Sequence, residues 1–267
     1  MIIDNVMQEK ILGKNKRIEI LGVKIDSLNV QETIDLVEEY INTNTPLHLM
    51  GVNADKINEA QKNPKLMEII NKCGVINADG ASVIMASKYL DMPLPERVAG
   101  IDLMQELVKL SSEKDYSIYL LGAKEEVVQN TKKVLLEKYP NLNILGIRNG
   151  YFKDEEWNDI ASELKKVNPQ FVFVGITSPK KEYLIEFLQN SGVSSVMMGV
   201  GGSFDVISGN IKRAPVWMQK CNLEWLFRVM QEPKRLFKRY FVGNRIFIKA
   251  IKKEKKKLKK EKMNENN

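Results

Sequence analysis

Short apolar runs alternate with helical patterns along most of this chain, and that alternation limits the fold more than any other feature. The runs fall at 47–50, 74–78, 117–121, 143–147, 171–174 and 194–200. Most are followed by a helical segment, and the last leads into a double glycine. Strands that alternate with helices can pair only in parallel, through helical crossovers. The expected fold is therefore α/β: a doubly wound, mostly parallel, Rossmann-like sheet with helices on both faces. Ligands on such sheets bind beyond the carboxyl ends of the strands. Ahead of the first unit, residues 18–25 read as a strand or hairpin. Asn29 can cap a helix in which Ile34, Val37 and Ile41 share a face.

Composition removes several function classes. The only cysteines are Cys73 and Cys221, so no disulfide framework holds the fold, and a reducing compartment suits it. The single histidine, His48, lies in an apolar run and reads as structural. A Cys/His zinc site is not expected, and no cofactor or metal is called for. The N-terminus carries Asp4, Glu9 and Lys10 without a long apolar run, unlike a secretory signal. No segment approaches the roughly 20 apolar residues that span a bilayer. A cytoplasmic protein is expected.

Charge is distributed unevenly. The chain carries a net +7, yet residues 234–267 alone hold 14 Lys and Arg against 3 Glu, a net +11. The preceding residues are thus net −4. The expected organisation is a flexible N-terminus at 1–16, a catalytic α/β domain at 17–222, an appendage at 223–251 and a Lys-rich tail at 252–267. The appendage interleaves Phe237, Phe241 and Phe247 with basic residues, which suits an anionic lipid interface. The lysines from Lys252 to Lys262 are expected to serve only that interface.

Candidate chemistry gathers where strands should end. Asp79 follows an apolar strand and precedes Gly80; it could accept a proton from a hydroxyl, or merely make an Asp-Gly turn or cap a helix. Arg97 could bind phosphate or lie on the surface. Ser178-Pro-Lys-Lys-Glu182 places a proline at a helix start, where an anion is favoured. The strand at 196–200 breaks into Gly201 and Gly202, where backbone N–H groups can approach a ligand. Gly199-Val-Gly-Gly202 lacks both GxGxxG spacing and a P-loop ending.

Taken in order, these segments resemble the WecG/TagA/CpsF family of bacterial glycosyltransferases. The matching pieces are Val52-Asn53, Asn77-Ala-Asp-Gly80, Glu96-Arg-Val-Ala-Gly100, Leu121-Gly122, Asn149-Gly-Tyr-Phe152, Val174-Gly175, Ser178-Pro-Lys180 with Glu182, and residues 199–243. The resemblance implies transfer of a sugar from a UDP-sugar to undecaprenyl-diphosphate-linked GlcNAc, with inversion and no essential metal. Its TagA branch adds N-acetylmannosamine in wall teichoic acid linkage-unit synthesis. It implies Asp79 as the base, Asn53, Arg97, Lys181, Arg228 and Arg235 as substrate-binding residues, and Gly122, Gly201, Gly202 and Asp205 as nucleotide-binding residues. It also implies an enzyme peripheral on the inner face of the plasma membrane. Two positions depart from the family pattern. Gly51 stands where a hydroxyl residue, typically Thr, is expected, and Lys181 where Gln is usual. They leave open another UDP-sugar, for a capsular or other surface polysaccharide, as well as the oligomeric state.

Two other classes compete. A nicotinamide-dependent oxidoreductase would need a glycine fingerprint after its first strand, where this chain has Gly22-Val-Lys-Ile. A nucleic-acid-binding protein would rely on the Lys-rich tail, but no recognised module accompanies it.

Overall fold

The computed structural model describes residues 15–265, apart from the side chains of Arg235, Arg239, Lys262 and Glu265. Most of the lead-in expected at 1–16 lies outside the described residues. The segment at 18–25 is a hairpin: β1 (Arg17–Ile20) pairs antiparallel with β2 (Val23–Asp26). Asn29 caps α1 (Val30–Asn42), accepting from the Glu32 N–H, while the Glu32 carboxylate accepts from the Asn29 N–H.

The alternating pattern then unfolds as expected. β3 (Leu47–Val52) leads to α2 (Ala54–Ala60) and α3 (Pro64–Lys72). β4 (Val75–Ala78) leads to α4 (Ala81–Tyr89) and α5 (Gly100–Glu113). β5 (Ile118–Gly122) leads to α6 (Glu125–Lys138), and β6 (Ile144–Arg148) to α7 (Trp157–Val167). β7 (Phe171–Gly175) leads to α8 (Lys180–Asn190), and β8 (Val196–Gly199) to the short α9 (Ser203–Ile207). The six strands from β3 onward form one sheet, all parallel, in the order β4-β3-β8-β7-β5-β6.

Alternate side chains of each strand enter opposite cores, as a sheet covered on both faces requires. On one face Leu47, Leu49, Phe171, Phe173, Val196 and Met198 pack under α1, α5, α6 and Phe204 of α9. The other face divides in two. Met50, Val52, Ile76 and Ala78 pack with the hairpin, α2, α3 and α4. Tyr119, Leu121, Val172 and Val174 pack with α7 and α8. Neighbouring strands β3 and β8 are thus followed by helices on opposite faces, α2 and α9. That divergence opens a crevice at their carboxyl ends.

The C-terminal segment folds back over this crevice. It comprises α10 (Val216–Lys220), α11 (Glu224–Gln231), α12 (Pro233–Phe237), a π-helical turn (Lys238–Val242) and α13 (Gly243–Glu265). Phe247 and Ile251 of α13 are buried in the core with α2 and α4, and Leu258 packs against it. α13 runs through position 252 without a break. α3 and α5 are helices that the apolar runs do not announce. Asn63-Pro64 at the start of α3 and the spacing of Ile101, Met104, Val108 and Ser111 in α5 are the signals that mark them.

Candidate active site

A cavity of about 740 Å³ lies at the carboxyl ends of β3, β4 and β8, walled on its far side by α11 and α13. Asp79 stands on its wall, directly after β4. The Asp79 N–H and the Gly80 N–H both donate to the Val52 carbonyl, at 2.9 and 3.2 Å. Gly80, not Asp79, is the N-cap of α4. The Asp79 carboxylate reaches instead to the start of α5, where Oδ1 accepts from the Gly100 N–H at 3.0 Å. The positive end of a 14-residue helix thus holds one carboxylate oxygen. Oδ2 takes no hydrogen bond from the described residues, so the carboxylate is oriented yet has an oxygen open for a proton.

Glycines keep this corner open. A Cβ on Gly80 would lie 2.8 Å from Asn53 Cβ, and one on Gly51 would lie 3.3 Å from Asp79 Cβ and 3.8 Å from Oδ2. Gly51, where the sequence departs from its family, therefore leaves space beside the carboxylate rather than a hydroxyl. Asn53 caps α2: its Oδ1 accepts from the Lys56 N–H at 3.0 Å. Its amide NH2 is left for a ligand in the cavity it lines.

Arg97 donates from Nε to the Asp79 carbonyl at 2.6 Å and from Nη2 to Glu224 Oε2 at 3.2 Å. Glu224 is buried at the start of α11, with Arg213 Nε 3.6 Å from its other oxygen, and Arg213 pairs in turn with Asp102 of α5. This chain of charges fastens the C-terminal segment to the strand end that carries Asp79. Arg97 keeps N–H donors on Nη1 for an anion.

Lys181 lies in the cavity wall with its stem across Gly199, where a Cβ would stand 2.7 Å from Lys181 Cε. Its Nζ is 3.5 Å from Glu182 Oε1, and the same oxygen accepts from Lys56 Nζ at 2.8 Å. Glu182 is completely buried, and its Oε2 has no hydrogen-bond partner among the described residues. Burial alone would raise the Glu182 carboxyl, but Lys56 and Lys181 carry it down to about 2. Burial and the neighbouring Lys56 lower the Lys181 ammonium to about 8, against the pull of Glu182 and Asp79. Two cations against one carboxylate leave a positive wall suited to a diphosphate. His48, buried on the adjoining strand, is held down to about 3 chiefly by burial and is neutral at physiological pH.

A sequence profile described as "Glycosyl transferase WecG/TagA/CpsF family" matches residues 18–261. The chain belongs to the WecG/TagA/CpsF glycosyltransferase family. Among its relatives is the N-acetylglucosaminyldiphosphoundecaprenol N-acetyl-beta-D-mannosaminyltransferase of Staphylococcus aureus strain MW2. It is 35% identical over 249 residues, which cover 92% of this chain and 96% of that one. The enzymes of the same name from strains NCTC 8325 / PS 47 and MRSA252 are 35% and 34% identical over the same shares.

This WecG/TagA/CpsF glycosyltransferase gathers Asp79, Asn53, Arg97, Lys181, Arg228 and Gly201 around one cavity. Arg228, on α11, has no ionic partner among the described residues. The side chain of Arg235 lies outside the described residues. Gly122, Gly202 and Asp205 are not among the lining residues. Gly122 has φ +138°, and a Cβ there would lie 2.5 Å from the Gly175 backbone, so this glycine serves close strand packing. Gly202 is the N-cap of α9, and Asp205 lies in its first turn. Lys180 turns away to Asp154 at 2.8 Å.

Two expectations about the tail need correction. Phe247 is buried in the core, so it cannot insert into a lipid surface; Phe237 and Phe241 are exposed and stack on each other at 4.5 Å. The lysines from Lys252 to Lys262 do not all stand apart for a lipid interface, because Lys252 lines the cavity and Lys255 pairs with Asp91. Glu224, Arg213 and Lys56 carry no signal in the sequence. Each lies far along the chain from the partner it serves, and no local motif marks it.

Proposed function

We propose that the chain transfers N-acetylmannosamine from UDP-N-acetylmannosamine to undecaprenyl-diphosphate-linked GlcNAc. The bond is β-1,4, anomeric configuration is inverted, and the product belongs to the wall teichoic acid linkage unit. The observation that carries the mechanism is Asp79: one carboxylate oxygen fixed by the start of α5 and the other open, at the strand end of a cavity lined by cations. The activity that names the Staphylococcus aureus relatives supports the choice of sugars.

In this mechanism the GlcNAc hydroxyl attacks C1 of the donor sugar as Asp79 takes its proton. The C1–oxygen bond breaks, and its electrons leave with UDP. Lys181, Arg97 and Arg228 stabilise the diphosphate charge that develops. Among the described residues no group of three His, Cys, Asp or Glu could hold a metal ion. Activity is expected to survive EDTA, with basic side chains and backbone N–H groups holding the diphosphate; loss of activity restored by Mg²⁺ or Mn²⁺ would overturn that assignment.

No helix among the described residues is long and apolar enough to cross a membrane. Attachment to an anionic membrane at the inner face, through the basic C-terminal helix and exposed Phe237 and Phe241, is part of the proposal. The deciding experiment offers the protein a panel of UDP-sugars with a GlcNAc-diphospholipid and identifies the product by mass and linkage. N-acetylmannosamine transfer is expected. Preference for another sugar would select the alternative that Gly51 and Lys181 raise, another surface polysaccharide.

A further inference from the structure

The cavity has a second lining that sugar chemistry leaves unexplained. Away from the strand ends its wall is built by Met85 and Tyr89 of α4 and by Phe247, Ile248 and Ile251 of α13. The two helices pack side by side, and Lys255 of α13 stands 5.7 Å over the Tyr89 ring. Phe247 and Ile251 are buried and make a floor. Met85, Ile248 and Tyr89 are 72%, 52% and 50% exposed, three large side chains held open on one rim. Clustered exposure of this kind marks a surface that meets something apolar.

We propose that this α4–α13 strip is the subsite for the isoprenoid segment next to the diphosphate of the lipid-linked acceptor. The inference rests on the proposed reading of the cavity as a glycosyltransferase site. Continuity argues for it. The acceptor is a hydroxyl-bearing sugar joined to a diphosphate and then to a hydrocarbon. One cavity offers the carboxylate of Asp79, the cations Arg228 and Lys252, and this apolar strip. The nucleotide-sugar donor has no hydrocarbon to fill the strip. A bilayer surface is a poorer occupant. The outward apolar residues Trp217 and Phe237, 62% and 55% exposed, lie outside the cavity, whereas Met85 and Ile248 line it. Met85 also suits a flexible hydrocarbon, because an unbranched thioether adapts to irregular apolar shapes.

The test uses the full chain in vesicle-free buffer with two soluble acceptors. Both carry GlcNAc-diphosphate; one bears a farnesyl-sized isoprenoid and the other a short alkyl group. Met85→Gln with Ile248→Gln keeps side-chain length and helix propensity while removing the apolar surface. The variant should raise KM for the isoprenoid acceptor about tenfold or more, as loss of one buried apolar side chain predicts. KM for the short acceptor and for the UDP-sugar should stay in place, and Met85→Leu with Ile248→Leu should restore isoprenoid affinity. Equal KM increases for both acceptors would overturn the subsite. So would an unchanged isoprenoid KM with weakened binding in a parallel sedimentation assay on anionic vesicles, which would make the strip a bilayer contact. If the unmodified protein used neither acceptor with any UDP-sugar, the transferase reading itself would fail, a result distinct from both.

Discussion

Asp79 is held by the backbone around it more than by a charged partner. Its carbonyl takes Arg97 Nε and its Oδ1 takes the Gly100 N–H, so both contacts survive replacement by an amide. Asp79→Asn should therefore fold and bind UDP normally while turnover falls roughly 10²–10⁴-fold, the usual loss for a general base. Near-normal turnover in the folded variant would remove Asp79 from that role. Lys181 supports a pH prediction. Its ammonium, faced by Lys56, Glu182 and Asp79 and lowered to about 8, carries its charge below that pH and loses it above. If that charge stabilises the departing diphosphate, the transfer rate should fall as pH rises through about 8. Lys181→Gln should be slower at neutral pH and lack that alkaline decline, while Lys181→Arg should keep its rate to higher pH. Rate profiles from pH 6.5 to 9.5 for the three proteins would decide it.

At the scale of elements, the C-terminal helices belong to the site because two different kinds of contact hold them. Glu224 ties α11 to Arg97 at the strand end that carries Asp79, and Phe247 with Ile251 roots α13 in the core beside α2 and α4. Phe247 is 1% exposed, so Phe247→Ala should cost about 3 kcal/mol in helix docking through lost burial and a residual cavity. The released α13 would expose its lysines. Trypsin should then cut the segment between Lys249 and Lys260 much faster than in the unmodified protein, and transfer activity should drop with it. Resistance equal to the parent would mean that the helix is anchored elsewhere. Glu224→Gln should keep the helix in place but weaken the grip on Arg97, raising KM for donor or acceptor more than it disturbs thermal stability.

The whole molecule carries a buried titratable layer between its two apolar patches on the second face of the sheet. His48 is neutral in the fold down to about pH 3, whereas in the unfolded chain it gains a proton near its ordinary 6.5. Between those values the unfolded state binds more protons, so stability falls as pH drops below 6.5. At pH 5 the loss from this group is about 2 kcal/mol. Glu182 acts in the same direction at lower pH: its lowered carboxyl stabilises the fold above 4.5, and that contribution is lost as pH falls toward 2. Denaturant unfolding at pH 7 and pH 5 should show this slope. A His48→Gln variant, whatever its absolute stability, should show a flatter one across that interval.

The strands, most of the helices between them and the parallel sheet were legible in the sequence, because apolar period and turn residues act over a few positions. Asp79 and Gly201 could be singled out for the same reason, since the carboxyl end of a strand is a local property; Asn53 came only with the family resemblance. The family resemblance extended this to Arg97 and Lys181, whose surroundings no local pattern describes. The order β4-β3-β8-β7-β5-β6 was not legible, and with it the crevice between β3 and β8. The β3–β8 pairing that makes the crevice joins Leu47 to Val196, segments more than a hundred residues apart that no local pattern connects. Gly122, Gly202 and Asp205, which the family resemblance offers as nucleotide-binding, are not among the residues that line the cavity; Gly122 serves close strand packing and Gly202 a helix start. The Lys56–Glu182 pair, the Glu224 anchor and the burial of Phe247 arise only when α2 meets α8 and the C-terminal helices close over the sheet. Periodicity determined the elements of this protein; long-range packing alone decided which charges face one another and which aromatic faces water.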